Sequence, residues 1–278
     1  HGNSTISGSD FAEAVLDDQE TFTPEGLAQY AIHAAMLETL IGTQDAAPEP
    51  LRLRLLENGL LPLGPAGIRW FENRWRHLRE WIEGVLPELG LSLAAAAALQ
   101  RAADAAAPRR MLDLGAGLHL AGRSAAANGP AGPFGLEVRY VKASAAKFQG
   151  GSLRPLLACW LRHLFACAAG SPAARLFVCR GDRAPWRVVS FAALPQQPAL
   201  DAWQRNARLF RKGQTGPLPF ALATSATFAA AWHRNPEAAE PERLADALAQ
   251  ARSAWLRADE ATGREADCDD PYLSAAFG

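Results

Sequence analysis

The spacing of apolar residues changes along this chain from a helical period to a period of two, and back again. From Pro65, Ile68, Phe71, Trp75, Leu78, Ile82 and Val85 recur in steps of three and four, with Arg69, Arg74, Arg76, Arg79, Glu72 and Glu83 on the other faces. That pattern predicts a long amphipathic helix ended by Pro87. Further on, Leu112, Leu114, Ala116, Leu118 and Leu120 alternate with Asp113, Gly115, Gly117 and His119, which predicts a strand running through both glycines. Leu136, Val138 and Tyr140 alternate in the same way after the turn signal Asn128-Gly129-Pro130. A chain that switches period like this folds as an α/β or α+β domain, with helices around a small sheet.

The remaining elements follow from breakers and caps. Thr23-Pro24 opens a helix carrying Leu27, Tyr30, Ala34, Leu37 and Ile41 and stopped by Gly42. Leu51 to Leu56 reads as a short helix, and the alanine-rich stretch 91–107 has no clear period. Ser152 caps a nearly all-apolar helix through Leu156, Leu157, Trp160, Leu164 and Phe165, the composition of a central helix. Leu176–Cys179 and Trp186–Ser190 read as a hairpin. Leu200, Trp203, Ala207 and Phe210 mark a helix ending at Gly213, and two more helices are expected at about 225–234 and 240–261. Residues 1–22 are expected to be a flexible segment that begins with a tag remnant and lacks the basic start and apolar stretch of a signal peptide. Residues 23–278 are expected to form one domain with helical additions at 23–90 and 198–262.

The formal net charge of −1 conceals a strong segregation. Residues 1–50 hold nine acids and no Lys or Arg, and residues 237–278 carry a net −6. The middle, 51–236, carries a net +14. Such a middle suits phosphate contact. Arg205, Arg208, Arg211 and Lys212 share one helix with no acid after Asp201. All four are candidate DNA contacts, and Arg205, Arg208 and Lys212 are expected on one solvated face opposite Trp203 and Phe210, unless the acidic tail with Asp267, Asp269 and Asp270 covers it.

Catalytic signatures are sparse. No Gly-x-Ser-x-Gly elbow, HExxH or P-loop occurs, and the six histidines are scattered. Cys159, Cys167, Cys179 and Cys268 lack zinc spacing and read as reduced thiols of a cytoplasmic protein. No run of 18 apolar residues without charge predicts a membrane span. The segment Leu112-Asp113-Leu114-Gly115-Ala116-Gly117 resembles motif one of the S-adenosylmethionine methyltransferases, with Glu137 placed 24 residues after Asp113 to hold a ribose. The third glycine of that motif falls at His119, and the alternation continues to Leu120 where a cofactor loop should begin.

A second resemblance covers most of the chain. Gly117-Leu-His-Leu-Ala-Gly122-Arg123, then Leu136-Glu-Val-Arg-Tyr-Val-Lys142, then the helix from Ser152, resemble the nuclease core of the RecB kind. Tyr30 to Leu40, Leu60-Leu-Pro62-Leu-Gly64, Leu161 to Gly170 with Arg175-Leu-Phe177, Gly216 to Phe220, and Asp270-Pro-Tyr-Leu resemble, in that order, the C-terminal region of RecC-type gamma subunits of exodeoxyribonuclease V. The resemblance spans about 20–278. It implies a restriction-endonuclease-like core, a small mixed sheet flanked by helices, in which two carboxylates and a Lys would hold Mg²⁺ and position water. The acids would stand just after Arg123 and two before Lys142. Ser124, Ala125 and Tyr140 occupy those places, and Lys142 alone remains. The resemblance therefore implies a catalytically degenerate domain with no metal and no cofactor. Its partners would be RecB-type and RecD-type subunits and double-stranded DNA ends, or forked or single-stranded DNA. The alternatives are the methyltransferase and a nuclease that rebuilds its metal site from Asp113 and Glu137.

Overall fold

The computed structural model describes residues 24, 26–42, 47–97, 108–123, 127–129, 132–142, 153–181, 184–218, 220–256 and 267–270. The readings for residues 1–22, the Thr23 and Ser152 caps and the end of the last helix lie outside them. The chain divides into two compact units, His1–Ala97 and Ala98–Gly278.

The first unit holds α1 (Gly26–Gly42), α2 (Pro48–Glu57) and α3 (Gly64–Val85). In α3 the three-and-four spacing places Phe71, Trp75, Leu78, Ile82 and Val85 on the buried face, joined by Trp81. Pro87 cannot donate a helical hydrogen bond, and the chain continues as a single 3-10 turn closed by Gly90 at φ 69°. In α1 the buried face is Ile32, His33, Met36, Leu37, Leu40 and Ile41. Leu27, on the expected stripe, is 87% exposed, and Tyr30 is also exposed. The centre of α1, residues 31–37, is apolar apart from His33, which is itself buried, so spacing alone does not select the stripe that is buried.

The second unit contains a two-stranded ribbon, β1 (Arg109–Asp113) and β2 (His119–Arg123). It also contains a four-stranded sheet, β3 (Ala127–Gly129), β4 (Gly132–Lys142), β5 (Ala174–Arg180) and β6 (Arg187–Phe191), in that spatial order. β4 and β5 are parallel, and the other pairs are antiparallel. Helix α4 (Leu153–Ala168) makes the crossover between β4 and β5, as a parallel pair requires. α5 (Gln196–Thr215), α6 (Leu222–Trp232), α7 (Glu240–Leu256) and a 3-10 turn, Asp267–Asp269, follow.

The single strand expected over 112–120 is a hairpin. Gly115, Ala116 and Gly117 have φ of 81°, 51° and 77°, the left-handed region that glycine enters without penalty. The Gly115 amide donates to Asp113 Oδ1 at 2.9 Å, and Leu114 and Leu118 bond across the turn. The alternation survives because the turn is centred on Ala116. Leu112 pairs with Leu120 and Asp113 with His119, so residues equidistant from the centre share a face.

Helix α4 is packed on two sides. Leu164, Phe165, Cys167 and Ala168 meet Leu112, Leu114 and Leu120 of the ribbon and Ala199, Leu200 and Trp203 of α5. Cys159 meets Phe177 and Cys179 of β5, with Val141, Val189 and Phe191 around them. Gln196, at the start of α5, donates to the Ala168 carbonyl at 3.1 Å and so ties α5 to the end of α4. The ribbon comes so close that a Cβ at Gly122 would lie 3.0 Å from the Phe165 ring. Gly122→Ala should therefore cost about 1–3 kcal/mol by overpacking. Phe165→Leu should relieve part of that loss. Urea midpoints of the two single variants and the double variant check this, since strict additivity would mean the two residues do not meet.

Candidate functional site

β4 carries the positions that the nuclease comparison selects. Tyr140 is half-buried, and the Arg180 guanidinium carbon of β5 lies 4.8 Å from its ring centroid, a cation–π contact. Lys142 is the last residue of β4 and the register partner of Arg180, after a shift in register between Val138 and Lys142. Ser124 and Ala125 lie outside the described residues. A phenol ring beside a guanidinium supplies none of the anionic oxygens that a hard cation requires.

The carboxylates that could rebuild a metal site are engaged elsewhere. The Glu137 side chain, 10% exposed, accepts from Arg162 Nη1 of α4 at 2.6 and 2.7 Å and from Arg139 Nε at 3.2 Å. Asp113 stands in the other sheet, exposed, and holds the Gly115 amide, with His119 Nδ1 at 3.9 Å. Among the described residues no group of three His, Cys, Asp or Glu side chains is arranged to hold a metal ion. The Asp113–Gly117 segment returns directly into β2 instead of leading into a helix, so it lacks the strand–loop–helix geometry of the nucleoside-binding motif it resembles.

The buried thiols are unsuited to nucleophilic chemistry. Burial pushes Cys159 up to about 12, with the Glu137 carboxylate reinforcing it, and pushes Cys179 up to about 11. All four cysteines are free. His163, buried in α4, stacks on Phe191 at 5.7 Å. Burial holds its pKa below the ordinary 6.5, and this outweighs its hydrogen bond to the Ala192 backbone.

The basic helix is α5. Arg205, Arg208, Arg211 and Lys212 are all exposed, and among the described residues no ion pair joins them to an acid. No carboxylate occurs between Asp201 and Glu237. Asp267, one of the acids set against this face, instead accepts from the Thr224 amide at 3.1 Å and the Thr224 hydroxyl at 2.6 Å in α6. Phe210, expected on the apolar side with Trp203, is 60% exposed. Ala207 is the last buried residue of the helix, and every residue from Arg208 to Pro217 is exposed. The Glu137–Arg162 pair, the Arg180–Tyr140 contact and the exposed aromatics were missed by sequence reasoning. Only the acid-free run after Asp201 hinted that this helix end lacks ionic partners.

These features define a small mixed α/β fold with one exposed basic helix end and no assembled metal or nucleophile site among its described residues. A model of the RecC C-terminal domain matches residues 8–233, and the chain belongs to that family. Membership gives it the setting of a RecC subunit of the RecBCD complex, exodeoxyribonuclease V, in DNA repair and recombination. The match ends at the residue after α6 and leaves α7 outside it. No curated protein matches the chain. No helix among the described residues is long and apolar enough to cross a membrane.

The buried imidazole gives a test of the α4 core. The unfolded chain takes up a proton at His163 near pH 6.5, whereas the folded chain resists it. The stability due to neutral His163 is thus complete above pH 6.5 and is lost as pH falls below it toward the lowered folded value. Between pH 7.5 and 5.5, urea midpoints should fall more for the parent chain than for His163→Gln; equal falls would place the titration elsewhere.

Proposed function

We propose that this chain is a non-catalytic scaffold and DNA-handling region of a RecC-type subunit, built on a restriction-endonuclease-like core whose metal chemistry has been lost. The observation that carries the reading is at the end of β4, where Tyr140 lies beside the Arg180 guanidinium. The parallel β4–α4–β5 crossover supports the nuclease-like core, and Ser124 and Ala125 complete the set of neutral residues at the metal-binding positions. RecB-type and RecD-type subunits are the partners this reading implies. In the assembled complex the region would support duplex splitting and strand guidance at double-strand ends. The exposed cations of α5 would meet phosphates without reading sequence. The hairpin at Asp113–Gly117 removes the geometric support for the methyltransferase reading.

Linear duplex and single-stranded DNA should survive incubation with the chain and Mg²⁺ or Mn²⁺. Cleavage abolished by Glu137→Ala or Asp113→Ala would overturn this. Lys142→Ala should change stability by less than about 1 kcal/mol if the lysine is a relic at the surface. Binding to forked or single-stranded DNA should be weak and independent of sequence. If about three phosphates are met, log K should fall with log salt at a slope of about −2 to −3, and Arg208→Gln should make the slope shallower by about one.

A further inference from the structure

We infer that α7 is a self-association helix, whose exposed leucine face pairs antiparallel with the same face of a second copy of this chain. α7 packs on α6 and on the 3-10 turn Asp267–Asp269, and its buried residues are the small ones, Ala247, Ala251 and Ala254. Leu244, Leu248 and Arg252 follow one another at four-residue steps on the adjoining face, with Ala245 and Ala249 beside them. All five are exposed. Leu244 is 43% and Leu248 55% exposed, too much apolar surface on one short helix to be left to solvent by chance. α7 lies beyond the residues that the family model matches, so this face is not part of the RecC C-terminal domain as that model defines it.

The face carries both halves of the contacts it needs. Consider an antiparallel pair with its two-fold axis level with Ala247. Arg252 then comes level with the partner's Glu242, on the same side of the pair, and Glu242 with the partner's Arg252. Ala245 comes level with the partner's Ala249, and Leu248 enters the shallow hollow between the partner's Ala245 and Ala249. Leu244 lies against the partner's Leu248. Among the described residues neither Glu242 nor Arg252 forms an ion pair within the chain. Each contact therefore occurs twice, which is the condition for a closed two-fold dimer. Burial of the leucines drives the association, and the two ion pairs fix its register and direction. An unrelated acidic helix would satisfy Arg252 but would leave Glu242 without a base. Seventeen residues make α7 about 25 Å long. One helix pair of that length is a small interface, so the dimer is weak and forms at micromolar concentration.

The test is sedimentation equilibrium of the 278-residue chain over micromolar concentrations. The parent chain should pass from monomer to dimer, and Leu248→Glu should stay monomeric. Arg252→Glu and Glu242→Arg should each weaken the dimer at least about tenfold, because each sets two like-charge pairs across the axis. Combining Glu242→Arg with Arg252→Glu should bring the affinity back near that of the parent, a rescue that separate structural roles for the two residues would not give. Circular dichroism of every variant separates loss of the dimer from loss of the fold, and all three positions are exposed. A parent chain that stays monomeric throughout would overturn the inference. So would a dimer that persists in Leu248→Glu, since it would use another surface, or a double variant as weak as the single ones. A monomeric parent whose association with a RecB-type subunit is lost in Leu248→Glu would assign the face to that subunit, and the inference would fall.

Discussion

Helix α4 is covered on both sides, and the ribbon, the start of α5 and the sheet are each packed against one of those sides. One face takes the β1–β2 ribbon and the first turns of α5; the other takes β5 and β6. A helix in this position buries most of its surface, which accounts for its near absence of charge. Its two arginines lie at exposed positions, and Arg162 reaches Glu137 on β4. That ion pair adds a polar tie to the apolar contact between helix and sheet. Because the arginine is half exposed, the pair contributes less than a fully buried one would.

The electrostatics follow from the same arrangement. Within the described parts of 132–191 the sequence has one carboxylate, Glu137, and seven cations, Arg139, Lys142, Arg154, Arg162, Arg175, Arg180 and Arg187. Glu137 is neutralised by two of them. The crossover unit therefore keeps an excess of positive charge, and α5 extends that excess beyond the core. Such a field raises the local concentration of polyanions and does so less at high salt. It is also a poor setting for a divalent cation, whose ligands must bring negative charge.

How much of this was legible in the sequence depends on how local each signal was. The buried face of α3 from Phe71 to Val85 could be read directly, because its apolar residues keep a single period for about four turns, whereas Ile68 on the same stripe is exposed. The ribbon could not, because a turn centred on one residue preserves alternation through its tip. The end of β4 was legible as a list of residues, with Tyr140 and Lys142 where acid and lysine were sought. The Arg180 contact was not, since a register shift between strands has no signature in either strand. Glu137 and Arg162 are 25 residues apart and meet only because α4 crosses over β4. The cations of α5 were visible as a run. Phe210 keeps the spacing of the apolar side and is exposed nonetheless, which spacing along α5 does not encode.

The ribbon has one more consequence. Among the described residues no further strand pairs with either edge of this two-stranded sheet, and an open edge is a template on which another chain can add a strand. Here Arg109 stands opposite Arg123, with Arg110 next in line. Like charges across the pair weaken the ribbon locally, but they also make its edges unwelcoming to a neighbouring strand. The arginines thus guard against aggregation where exposed Met111 would otherwise invite it.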